Sequence, residues 1–192
     1  MDRSFQAEDV TRAGRGALIC AMFGAGWLGW ALGTAKAFNG FVAPAFGSIA
    51  LFLPACSIYF IRKGRLHRQR TPEADESSRQ SVLKWFLLIA FIEVIAIVGV
   101  SILANRLHRT DLATDWCAMV VGLHFLPLAR IFRVLQFSIL GILMVLWCLL
   151  CWALFHSSAI AISASLGTGI LLWGSCVTSL LRARKIDRAL RA

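Results

Sequence analysis

Six stretches of about 20 apolar residues, divided by short charged connections, constrain this chain more than any other feature. A hydrocarbon layer ~30 Å thick is crossed by ~20 residues of α-helix at 1.5 Å per residue. Within such a layer every backbone N–H and C=O must be satisfied by the chain itself, which leaves helices or closed barrels. Transmembrane β-strands alternate in character over ~10 residues, and these stretches stay apolar for about twice that length. The expected fold is therefore all-α: a polytopic integral membrane bundle of six transmembrane helices. The stretches and their connections account for the 192 residues, so a separate soluble domain is not expected. Hydrophobic residues make up 58% of the chain, above the ~45–50% of soluble domains, and mean hydropathy is +0.72.

The spans are expected at about 16–35, 38–61, 83–104, 115–129, 134–155 and 157–181. A basic hydrophilic loop, 62–81, follows the second span, and a basic tail, 182–192, follows the sixth. The loop lacks helical periodicity and contains Pro72, so it reads as solvated. Ala35-Lys36-Ala37 mimics a signal-peptide cleavage site, but the apolar region before it exceeds the ~7–15 residues usual for such a peptide. A retained helix is expected. Pro44 and Pro54 fall inside the second span, where neighbouring helices can satisfy the freed carbonyls. Asp111, Thr114 and Asp115 read as N-cap residues of the fourth span.

Orientation follows from Lys and Arg, which cytoplasmic connections retain. With the N-terminus inside, 17 of the 20 fall on the inner side, and only Lys36, Arg106 and Arg109 fall outside. Both termini are thus expected in the cytoplasm. The formal net charge of +10 would suggest nucleic acid in a soluble protein, but here the charge lies in connections. The expected partner is the lipid bilayer, with no nucleic acid. The basic loop and tail could also contact anionic lipid, though retention on the inner side already explains them. Assembly into a homo-oligomer is left open. All six cysteines lie inside apolar stretches, unlike the framework of a secreted disulfide scaffold.

Small residues allow close approach between membrane helices. Ala21, Ala25, Gly29 and Gly33 repeat every four residues in the first span, and Ala161, Ser165 and Gly169 do so in the sixth. Both stripes are expected to be helix-packing faces; the plain alternative is the general richness of such helices in Gly and Ala. Trp27, Trp30, Trp85 and Trp116 lie near span ends, as interfacial anchors do. Trp147, Trp152 and Trp173 are deeper, for packing or lipid contact.

Ionisable residues at depth carry whatever chemistry the chain has. Glu93 is eight residues past Trp85, ~12 Å in. A carboxyl there costs a few kcal/mol to insert, so it should face the bundle interior and either pair or be protonated. His124 lies six residues before Arg130, ~9 Å deep. The third and fourth spans run antiparallel across a short loop, which matches the two depths. Pro127 frees the carbonyl of Leu123 beside the histidine, a pattern suited to a broken-helix polar site. Glu93, His124 and Pro127 form the candidate intramembrane site. The alternative is structural: a buried Glu and His bonded to neighbours in a kinked helix.

Gly122-Leu123-His124-Phe125-Leu126-Pro127-Leu128-Ala129 resembles the G-x-H-x-x-P motif of small multi-span bacterial membrane proteins of unknown function. The resemblance covers this motif, the preceding acidic span and the general layout. It implies His124 and Pro127 as family-type residues and a cell membrane, the bacterial inner membrane, as the location. It supplies no substrate.

Cys148-Leu149-Leu150-Cys151 is a C-x-x-C in the fifth span and a weak redox candidate. No positive charge lies nearby to activate a thiol, and two small apolar side chains explain it as well. No second Cys/His pair accompanies it, so no metal is expected. Phosphate loops, Ser/His/Asp patterns and H-E-x-x-H are missing, so no cofactor is expected and enzymatic activity is not favoured. Three functions remain. The first is a small transporter or channel handling protons or a polar solute through Glu93 and His124. The second is a structural or accessory protein assembling with a partner. The third is a membrane thiol oxidoreductase.

Overall fold

The computed structural model describes residues 3–68, 76–132, 134–155 and 158–191. Among them are six α-helices and no strand: α1 (Arg3–Thr34), α2 (Val42–Arg68), α3 (Glu76–Arg106), α4 (Thr110–Phe132), α5 (Leu135–Leu154) and α6 (Ser158–Arg191). Each contains a segment long and apolar enough to cross a membrane. The chain is thus an all-α, six-helix protein suited to multiple membrane passes.

The helices run past their apolar stretches. The segment 62–81, expected as a solvated loop, is helical over 62–68 and 76–81, and 69–75 lie outside the described residues. The expected tail instead continues α6 to Arg191, and α1 begins at Arg3 rather than near residue 16. Arg, Lys, Leu and Gln are good helix formers, and extending a helix costs far less than nucleating one. Packing adds to this on α6, where Ser179, Ala183 and Asp187 are buried at four-residue spacing. Lys63 Nζ donates to Asp187 Oδ2 at 2.6 Å, tying the end of α2 to the end of α6.

Local chemistry sets the other boundaries. Asn39 caps α2: its Oδ1 accepts from the N–H groups of Phe41 (3.0 Å) and Val42 (2.8 Å). Pro44 consequently sits in the first turn, where a missing N–H matters little, and only Pro54 lies in the helix interior. His108 adopts a left-handed φ of 53° after α3. This lets His108 N–H reach Asn105 O (3.1 Å) and Arg109 N–H reach Ala104 O (2.8 Å), closing the helix. Lys36, with φ 52°, ends α1 in the same manner.

The residues group into two compact units, one from Met1–Gly26, Ala37–Ala74 and Leu172–Ala192, the other from Trp27–Lys36 and Asp75–Leu171. In the first, a Cβ on Gly14 would lie 2.9 Å from Ile61 Cγ1, so α1 and α2 approach closely there. Trp173 covers Gly24, stacks on Phe46 at 5.9 Å and donates Nε1–H to Ala21 O at 3.2 Å.

In the second unit α3 packs on α4, and α4 on α5. The α4–α5 crossing is made backbone to backbone, since a Cβ on Gly141 would stand 2.5 Å from Gly122 O. Trp147 of α5 donates Nε1–H to Ser163 O of α6 at 3.0 Å, with its ring lying over Gly167. Within the most apolar part of α3 no residue is buried; Leu87, Phe91, Ile95, Val98 and Ile102 are exposed, as lipid contact allows.

Candidate functional site

The seam between α3 and α4 brings Glu93 and His124 together. His124 Nδ1 lies 3.3 Å from Glu93 Oε2, and the two side chains are only 9% and 10% exposed. Their partnership follows from the chain: a short connection makes α3 and α4 antiparallel, and the residues sit at matched distances along them. With the imidazole protonated, the two groups lie within ion-pairing distance. Phe125 stands edge-on to His124 at 6.3 Å. One turn pair away along the same stripe of α4, Cys117 Sγ lies 3.8 Å from Ser101 Oγ, which also bonds Ile97 O at 2.7 Å. The α3–α4 seam is therefore a line of polar contacts in an apolar setting.

The motif around His124 divides its work between two faces of α4. His124 meets α3, whereas Gly122, about half a turn away, admits the backbone of α5 at Gly141. Pro127 is exposed, and α4 continues through it to Phe132. The helix is not broken beside the site.

The remaining candidates are placed as follows. Ala25 and Gly29 are half-buried and Gly33 is exposed, while the close approaches of α1 occur at Gly14 and Gly24. Ser165 is fully buried and donates to Ala161 O of its own helix at 2.6 Å. A Cβ on Gly169 would stand 2.5 Å from Leu28 Cγ of α1. Cys148 and Cys151 are free thiols, both fully buried. Arg62, Arg65, Arg182, Arg184, Lys185 and Arg188 are exposed.

The cap reading at the start of α4 needs a correction, since Thr114 and Asp115 both lie inside the helix. Asp115 was expected to cap α4, but α4 starts at Thr110, so Asp115 lies in its second turn and is 1% exposed. The cap reading fails because the helix extends outward past the apolar boundary. Asp111 instead lies in the first turn, 3.3 Å from Arg109 Nε. A sequence signal for Asp115 existed: with Ala118, Gly122, Phe125 and Ala129 it keeps the i, i+3, i+7 spacing of a packed stripe, and all five are buried.

Comparison with protein-family models, with curated proteins and with solved structures gives no match to this chain. Its function is therefore read from the residues that its own fold brings together.

Proposed function

We propose that the chain is a multi-pass protein of the bacterial inner membrane, with both termini in the cytoplasm, that handles protons or a polar solute through Glu93 and His124. The observation that carries this reading is the 3.3 Å contact between two ionisable side chains, nine-tenths hidden, on helices long and apolar enough to cross a membrane. Such a pair can exist as carboxylate and imidazolium or as two neutral groups. These states differ by one proton transfer, as a relay requires. Intramembrane ionisable residues mark ion and proton pathways more often than they serve stability alone.

The orientation rests on the distribution of Lys and Arg, and reporter fusions test it. Fusions after Arg70 and after Ala192 should both report cytoplasm; an external signal from either overturns the arrangement.

The transport reading is tested in liposomes containing the purified chain and an internal pH indicator. An imposed pH step should collapse faster than in empty liposomes. Glu93→Gln should keep the fold and slow the collapse by about a hundredfold, the scale of losing a positioned acid–base group. Equal rates in the variant and the parent would favour the accessory role.

A further inference from the structure

On the opposite face of α4 the fold buries a second carboxyl that the Glu93–His124 reading does not use. Asp115 precedes His124 by nine residues, two and a half turns at 3.6 residues per turn, which points the two side chains to opposite sides. While His124 meets α3, Asp115 faces Cys148 and Cys151 of α5. Asp115 is 1% exposed and Cys148, Cys151 and Thr168 are 0% exposed. Neither carboxyl oxygen of Asp115, nor the Thr168 hydroxyl, has a hydrogen-bond partner among the described residues. The Cys148 thiol is within electrostatic reach of both, though neither approach attains hydrogen-bond geometry.

The setting is built by packing. Gly122 and Gly141 let α4 and α5 touch along their backbones, and Gly167 lets Trp147 lie against α6. Cys148 directly follows Trp147 and Thr168 directly follows Gly167, so the contacts that close these helices also set the thiol beside Asp115 and the hydroxyl beside the thiol. The titratable groups facing Asp115 are Cys148 and Cys151 of α5. No Lys, Arg or His among the described residues pairs with it.

A carboxylate with no donor and no cation carries an unbalanced charge that costs several kcal/mol in such surroundings. The position therefore calls for one positive charge. A hard metal ion fits poorly: Na⁺ or Ca²⁺ needs about six oxygen ligands, and thiols serve it badly. Among the described residues no group of three or more His, Cys, Asp or Glu side chains is arranged to hold a metal. A proton needs only the carboxyl itself and no further set of ligands.

We propose that Asp115 is a second intramembrane proton-binding site, on the face of α4 opposite His124, with the Cys148 thiol of α5 as its neighbour. The site goes beyond the Glu93–His124 reading and stands whether or not that reading survives.

Infrared spectroscopy of the full chain in lipid tests it, because a protonated carboxyl has a C=O band distinct from that of a carboxylate. One such band should grow as the pH is lowered and fall again as it is raised. It should be retained in Glu93→Gln and lost in Asp115→Asn. If Asp115→Asn does not fold, ¹³C-carboxyl labelling of aspartate in the unaltered chain should move the same band, and labelling of glutamate should not. The proposal is overturned if no aspartate band of this kind appears at any pH, or if the band never responds to pH. It also fails if exchanging Na⁺ for choline at fixed pH converts carboxylate to acid, since Asp115 would then be a metal-cation site. Loss of the band in Glu93→Gln with retention in Asp115→Asn would assign it to Glu93 and end the proposal without touching the liposome result.

Discussion

Gly167→Ala should destabilise the protein by about 3 kcal/mol, although it adds a single methyl group. The new Cβ would run into Trp147 Nε1 and Cε2. An indole has no flexible end to move aside, so the ring must leave its place, and its hydrogen bond to Ser163 O goes with it. Gly26, Gly99 and Gly174 provide the comparison. A Cβ on any of them meets nothing within 4 Å, and Ala there should be neutral or slightly favourable through helix propensity. Denaturant titration in detergent micelles reads these differences. Trimming the obstacle should restore much of the loss, so Gly167→Ala with Trp147→Ala should be less destabilised than the two single changes added together. Strict additivity would mean that the ring and the glycine do not confront each other. No such rescue exists for Gly141→Ala, because the atom in its way, Gly122 O, is backbone.

The second large effect is expected at the α3–α4 seam. His124→Leu alone should cost about 3 kcal/mol or more, because it leaves the Glu93 carboxyl hidden without its partner. Glu93→Leu with His124→Leu should recover most of that loss, since two packed leucines need no partner and suit an apolar interface. Thermal unfolding of the three proteins, read as a double-mutant cycle, separates coupling from packing. A double variant that is stable yet inactive in liposomes would identify the pair as kept for its chemistry. A double variant no better than His124→Leu would mean that the imidazole serves by its shape and not by meeting Glu93.

Some of this was legible in the sequence, for reasons that particular residues make plain. Six helices were legible because continuous apolar length has one solution in a hydrocarbon layer. Their ends were not. Arg62, Lys63 and Arg65 look like a solvated loop in a hydropathy reading, yet they continue α2 because helix propensity does not follow hydropathy. Glu93 and His124 could be paired from depth alone, since an antiparallel pair of helices turns residue number into height. Asp115 could not. Its place near a charged boundary suggested a cap, and that position outweighed the stripe it shares with Ala118, Gly122, Phe125 and Ala129. The packing faces divide in the same way. Gly169 against Leu28 lies on a stripe visible in the sequence. Gly24 and Gly167 do not, because the tryptophans that cover them come from other helices and no spacing within one helix reports a distant ring.

The half-turn offset between Asp115 and His124 also fixes how strongly charges at the two positions can influence each other. Nine residues set them ~13 Å apart along the axis of α4, and their opposite directions add to that. At this separation and an effective dielectric of ~20, unit charges interact by about 1 kcal/mol, less than a factor of ten in occupancy. The gap is also several hydrogen bonds long, so a proton cannot pass directly from one to the other. On the proposed reading, each position would fill and empty through its own side of α4. What the helix transmits between them is a mild electrostatic bias, enough to order two loading events in time without making either depend on the other.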